Sequence, residues 1–224
     1  MIRQAKDAPA PFEPPPFYVP GVGSAWRSRL AHLGLRALGW RLRYAGLTAV
    51  AGPRGVLIVY PHTTNWDFII GILAKWIVNE PIRFVGKESL FRGLWGWWFR
   101  WIGGRPVNRR VASGAVLELK RVIESEPQFW LALSPEGTRQ RLEHWRTGFY
   151  HLAVVAHLPL AMAYLDFPNK EIGVVGFLQL SGKPSIDLPQ IQAAFAGHHG
   201  KHPAGESPIC FSQPESASVA RENP

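Results

Sequence analysis

A histidine followed five residues later by an aspartate, in Pro61-His62-Thr63-Thr64-Asn65-Trp66-Asp67, has the makings of a general base with an orienting carboxylate. The carboxylate would accept the Nδ1 proton and fix the tautomer, leaving Nε2 to take a proton from a nucleophile. On a regular helix a five-residue offset turns two side chains apart by roughly 140°. The pair therefore meets only if residues 61–65 form an irregular turn, which Pro61, two threonines and Asn65 suit. Alone the spacing is weak, since it arises often by chance and a structural histidine is the commoner explanation. A second block, Ser134-Pro135-Glu136-Gly137-Thr138-Arg139, sets an acid, a glycine and an arginine side by side directly after an apolar run.

The elements that would carry these blocks alternate in type. Val56-Leu57-Ile58-Val59-Tyr60 is apolar throughout, which predicts a parallel strand covered on both faces. Helical patterns follow at 66–79, 90–101, 112–125 and 147–157. Strand-like runs fall at 83–86, 105–108, 129–133, 160–165 and 172–178. The alternation predicts an α/β domain over residues 51–196, with a mainly parallel central sheet flanked by helices. Such sheets bind ligands outside the carboxyl ends of their strands. His62 follows the run 56–60 and Ser134 follows 129–133, so both blocks are expected at that edge.

The flanks differ in composition. Residues 1–24 are rich in Pro and Gly and read as an extended arm. Residues 25–50 read as an amphipathic membrane-contact helix. Its helical periodicity runs over 25–45, with Trp26, Leu30, Leu33, Ala37, Trp40 and Tyr44 on one stripe and Arg29, His32, Arg36 and Arg43 beside it. A helix divided in this way can lie in the headgroup plane of an anionic membrane; it can also pack its stripe on the domain. Residues 197–224, rich in Gly, His, Pro and Ser, read as a disordered tail.

Net charge is +9, and it is uneven. Residues 1–60 hold eight bases against two acids, whereas from Asp166 onward there are four bases and six acids. The excess points to an anionic partner for the N-terminal half. Nucleic acid is not expected, because the tryptophans fall on apolar stripes and no reader motif appears. Four of the ten tryptophans lie at 95, 97, 98 and 101, flanked by Arg92 and Arg100. That pattern suits either a membrane–water interface or a core helix. A lone cysteine, Cys210, excludes an intramolecular disulfide and a Cys-based metal cluster. No signal peptide and no spanning helix are expected.

Together these blocks resemble the 1-acylglycerol-3-phosphate acyltransferase family and its relatives among the glycerolipid acyltransferases, over roughly residues 55–180. His62 and Asp67 match the family's first block, and Glu136, Gly137, Thr138 and Arg139 its third. Gly104-Arg105-Pro106-Val107-Asn108-Arg109 is similar to the arginine block between them, and Leu158-Pro159-Leu160 to the fourth. Lys87-Glu88-Ser89-Leu90-Phe91 is similar to a stretch that often precedes the arginine block. Pro61 stands where Asn is usual, Ser134 where Phe is usual, and Arg146 where Lys is common. The resemblance implies acyl transfer from a thioester, either acyl-CoA or acyl carrier protein, to an acceptor hydroxyl of a membrane lipid. Lysophosphatidic acid heads the acceptors; glycerol 3-phosphate, an aminolipid or a glycolipid are alternatives, as is a non-catalytic membrane-binding module. His62 would be the base and Asp67 its partner. Arg109 and Arg139 would contact substrate phosphate, with surface ion pairing as their other role, and Gly137, Thr138 and Arg146 would bind substrate as well. Glu136 would orient the loop or a substrate group, or serve as a structural acid bonding backbone N–H groups. Backbone N–H groups near Gly137 would receive the oxyanion. No metal and no cofactor beyond the thioester co-substrate are expected. The protein would sit on the cytoplasmic side of the membrane as a peripheral or monotopic enzyme.

Overall fold

In the computed structural model, which describes residues 25–44, 46–107 and 112–212, the chain runs α1 (Ala25–Ala37), β1 (Arg41–Arg43), α2 (Leu47–Ala51), β2 (Arg54–Tyr60), α3 (Asn65–Val78) and β3 (Ile82–Lys87). It continues through α4 (Gly93–Trp101), β4 (Gly104–Val107), α5 (Ala112–Ser125), β5 (Phe129–Leu133), α6 (Gly148–Val155), β6 (Leu160–Asp166), β7 (Glu171–Leu178) and α7 (Pro184–Phe195).

The strands form one sheet in the order β1-β7-β6-β2-β5-β3-β4. From β6 to β4 every pairing is parallel. Only the turn 167–170 separates β6 from β7, too short for a crossover, so β7 returns antiparallel. β1 then pairs parallel with β7. This is the α/β architecture with a mainly parallel sheet that the alternation predicts.

β2 sits at the centre and is buried along most of its length, as its unbroken apolar run requires. Val56, Ile58 and Tyr60 face a core closed by α5, α6 and α7. Leu57 faces the opposite side, where α2 and α3 cover the sheet. α1 lies outside on α3, burying Ala31 and Leu35. α4 flanks α3, with Phe99 6.1 Å from Phe68 and Trp101 5.9 Å from Trp76, centroid to centroid.

Two expectations are corrected, and one helix appears that the periodicity does not signal. The predicted helix over 25–45 stops at Ala37: Gly39, at φ 76°, begins a Schellman turn in which Trp40 N–H reaches Leu35 O at 2.9 Å. Trp40 and Tyr44 consequently leave the helical stripe and enter the core, while Trp26, Leu30 and Leu33 remain exposed. α7 goes unpredicted because Pro189 interrupts a weak periodicity; buried Asp187 anchors it by accepting from Tyr150 Oη at 2.6 Å. The stretch up to Ser212, expected to be disordered, is packed against the body of the domain. Phe211 lies 5.2 Å from the Tyr150 ring, and Trp145 N–H donates to Cys210 O at 2.8 Å.

Candidate active site

The irregular turn that the His62/Asp67 pair requires is present. Tyr60-Pro61 is a cis peptide at the end of β2, and the chain stays non-helical until Thr64, the N-cap of α3. Thr64 Oγ1 accepts from Trp66 N–H at 3.4 Å, and Asp67 Oδ2 accepts from Thr64 N–H at 2.9 Å, making a capping box. The cap fixes the Asp67 carboxylate, and His62 Nδ1 lies 3.1 Å from the same Oδ2. That contact assigns the proton to Nδ1 and leaves Nε2 as the acceptor nitrogen. Asp67 is buried, whereas the His62 side chain is 24% exposed.

Glu136 reaches the same loop from the turn that follows β5. It is fully buried; Oε2 accepts from His62 N–H at 2.8 Å and Oε1 from Ser207 N–H at 2.9 Å. Burial raises its pKa, opposed by the hydrogen bonds from Ser207 and His62. Both of its oxygens thus hold backbone, which matches the structural-acid role among those the sequence leaves open. Gly137, at φ 64°, completes the turn by donating its N–H to Ser134 O at 3.1 Å, so that N–H is not free for an oxyanion. Arg146 lies against it: a Cβ on Gly137 would fall 2.8 Å from Arg146 Nε. Arg139 donates to Asn65 Oδ1, bringing its guanidinium to the first turn of α3. Thr138 Oγ1 accepts from Gln140 N–H at 3.4 Å. Arg109 lies outside the described residues.

A strap of residues 198–207 closes over this loop, and no sequence signal marks it because its contacts span well over half the chain. His202 N–H donates to Thr63 Oγ1 at 3.2 Å, and Tyr60 Oη donates to Ser207 O at 3.0 Å. Gly200 permits the approach, since a Cβ there would stand 2.7 Å from Thr63 Oγ1. Lys201 Nζ sits 5.9 Å over the Trp66 ring, so Lys201 and Arg139 both flank the start of α3.

His62, Asp67 and Ser134 border a cavity of about 230 Å³ that is otherwise almost wholly apolar. It extends between α3 and the sheet, past Gly71 and Ile72 to Lys75 and Val78. Asp67 to Val78 is about 16 Å along the helix axis. Ser134 Oγ and Asp67 Oδ1 are buried without a protein hydrogen-bond partner among the described residues.

Residues 41–165 match the model of a family described as Acyltransferase. A 1-acyl-sn-glycerol-3-phosphate acyltransferase of Streptococcus pneumoniae (strain ATCC BAA-255 / R6) is 28% identical over 86 residues, 37% of this chain. The match spans only 31% of that protein's length. The crystal structure of the 1-acyl-sn-glycerophosphate (LPA) acyltransferase PlsC from Thermotoga maritima aligns at a TM-score of 0.49 and 17% identity, over 75% of this chain and 73% of that one.

Proposed function

This chain belongs to the acyltransferase family, and we propose that it transfers a fatty acyl group from an acyl thioester to the free hydroxyl of 1-acylglycerol 3-phosphate. The observation that carries the reading is a His–carboxylate pair, oriented at 3.1 Å, at the border of an apolar cavity long enough for an acyl chain.

His62 Nε2 takes the proton of the acceptor hydroxyl as its oxygen attacks the thioester carbonyl, and Asp67 stabilises the resulting imidazolium. The tetrahedral intermediate collapses by breaking the C–S bond, and the departing thiolate recovers the proton from His62. No covalent acyl-enzyme is needed, because the thioester is already activated. With the Gly137 N–H engaged in its turn, the Ser134 hydroxyl is our candidate donor to the oxyanion. The donor is acyl-CoA or acyl carrier protein, its chain lying in the cavity. Arg139 and Lys201 supply the cations for the acceptor's phosphate at the start of α3. Arg109 remains a further candidate for phosphate contact, and Arg146 for substrate contact.

No helix among the described residues is long and apolar enough to cross a membrane. The exposed stripe Trp26, Leu30 and Leu33 on α1 supports peripheral attachment, which we place on the cytoplasmic face. The test is transfer of labelled acyl groups from acyl-CoA and acyl carrier protein to a panel of lysolipids by purified protein. His62→Ala should lower the rate by roughly 10²–10⁴-fold with the circular-dichroism spectrum unchanged. Residual transfer close to wild type would remove the proposal.

A further inference from the structure

A second cavity lies at the amino ends of β3 and β4, opposite the strand ends that carry His62. Its volume is about 270 Å³, and Arg83, Arg100, Arg105 and Trp101 line it together with Gly103 and Gly104. Gly104 lets the backbone close up here, since a Cβ would stand 2.7 Å from Phe99 O.

Positive charge is in excess around it. Arg105 pairs with Glu126 at 2.8 Å. Arg83 and Arg100 have no carboxylate partner among the described residues, and the Arg100 guanidinium lies 5.7 Å over the Phe91 ring. Two further cations crowd in. Arg27 reaches across from α1 to lie 5.5 Å over the Trp101 ring, and Lys75 donates to Ile102 O. Burial, followed by the charges of Arg83 and Arg27, pushes Lys75 down to about 8. A cluster of like charges that its acids do not match in number is unfavourable unless an anion joins it.

Its setting narrows the choice of anion. Trp101 lines the cavity yet is 45% exposed, and Trp97, stacked with it at 6.4 Å, is 65% exposed. Trp26 on α1, beside the Arg27 that covers Trp101, is exposed as well. Exposed indoles beside guanidinium groups that lack a carboxylate partner among the described residues match the headgroup layer of a membrane, where Trp takes up the boundary and Arg the phosphate. A freely diffusing anion would call for the arginines but not for the exposed rings.

We propose that the Arg83–Arg100–Arg105 cavity seats the phosphate of an anionic phospholipid, with Trp97 and Trp101 in the interface beside it. The site goes beyond acyl transfer, and it lies across Lys75 from the apolar cavity, which Lys75 also lines. Its test therefore reads binding and does not depend on the catalytic reading.

The full chain is to be sedimented with vesicles of phosphatidylcholine alone and of phosphatidylcholine mixed with phosphatidylglycerol. Wild type should favour the anionic vesicles. Arg83→Gln/Arg100→Gln should lose about twenty-five-fold in affinity for them, at about fivefold per interfacial cation, while binding to neutral vesicles stays unchanged. Arg121→Gln/Lys183→Gln removes the same charge elsewhere and should bind as wild type; an equal loss in both doubles would show diffuse attraction and overturn the site. Arg100→Gln alone, on an exposed helical position, guards against misfolding and should lose about fivefold. Calorimetry with inorganic phosphate distinguishes the source of the anion. Phosphate binding that Arg83→Gln/Arg100→Gln abolishes, with no change in vesicle affinity, would assign the cavity to a free anion and overturn the lipid.

Discussion

The Glu136 carboxylate holds Ser207 N–H at 2.9 Å through one oxygen and His62 N–H at 2.8 Å through the other, joining residues 71 and 74 positions apart. A buried acid thereby ties the end of the described chain to the loop bearing the proposed base. Because Glu136 is fully buried, losing either partner leaves a desolvated oxygen without compensation.

Ending the chain after Gly197 should therefore lower stability by about 3 kcal/mol or more, since Glu136, Tyr60 and Thr63 all lose partners. Transfer should fall by about a hundredfold at temperatures where the protein is still folded, as His62 loses its fixed backbone. Denaturant titration and rate measurement on the same sample check both. Full activity in the truncated chain would show that the strap is dispensable.

Gly71 lines the apolar cavity one turn beyond Asp67, and a Cβ there meets nothing within 4 Å. Gly71→Leu should reduce transfer from long-chain thioesters by about ten- to a hundredfold relative to short-chain ones. The melting temperature should hold or rise, because leucine favours a helix interior over glycine by up to about 1 kcal/mol. A uniform loss across chain lengths would move the acyl chain out of this cavity.

At Gly137 the left-handed backbone, φ 64°, and the nearness of Arg146 both oppose a side chain. Gly137→Ala should destabilise the fold by about 1–3 kcal/mol. Pairing it with Arg146→Ala, which removes the steric part, should recover some of that loss in a double-mutant cycle. Strict additivity would show that the backbone alone carries the penalty.

Lys75 titrates at about 8 in the folded chain, against an ordinary value of 10.5. Between these values the unfolded chain holds the extra proton, so stability should rise with pH across that window, by at most about 3 kcal/mol. Below pH 8 both states are charged and the dependence vanishes. Lys75→Met should flatten the rise, and the difference between the two proteins' stability profiles isolates this one group. Parallel profiles would place Lys75 in water.

The chain's own order of residues determined the alternation of elements, the burial of β2 on both faces and the strand ends at which His62 and Ser134 stand. These follow from local periodicity and turn chemistry, which a short window of residues contains. The need for a non-helical turn between His62 and Asp67 was legible too, and Thr64 as N-cap satisfies it. What only the tertiary structure decided is where partners come from far along the chain. Glu136 has a backbone partner at Ser207, Gly137 is covered by Arg146, and Thr63 is met by the strap, all through contacts that no periodicity encodes. The same holds for Trp40 and Tyr44. Their spacing continued the α1 stripe, but a turn at Gly39 and the demand for core volume drew them inward. The arginine cavity beside Trp101 is likewise a product of strand register, since Arg83 and Arg105 meet only because β3 and β4 lie side by side.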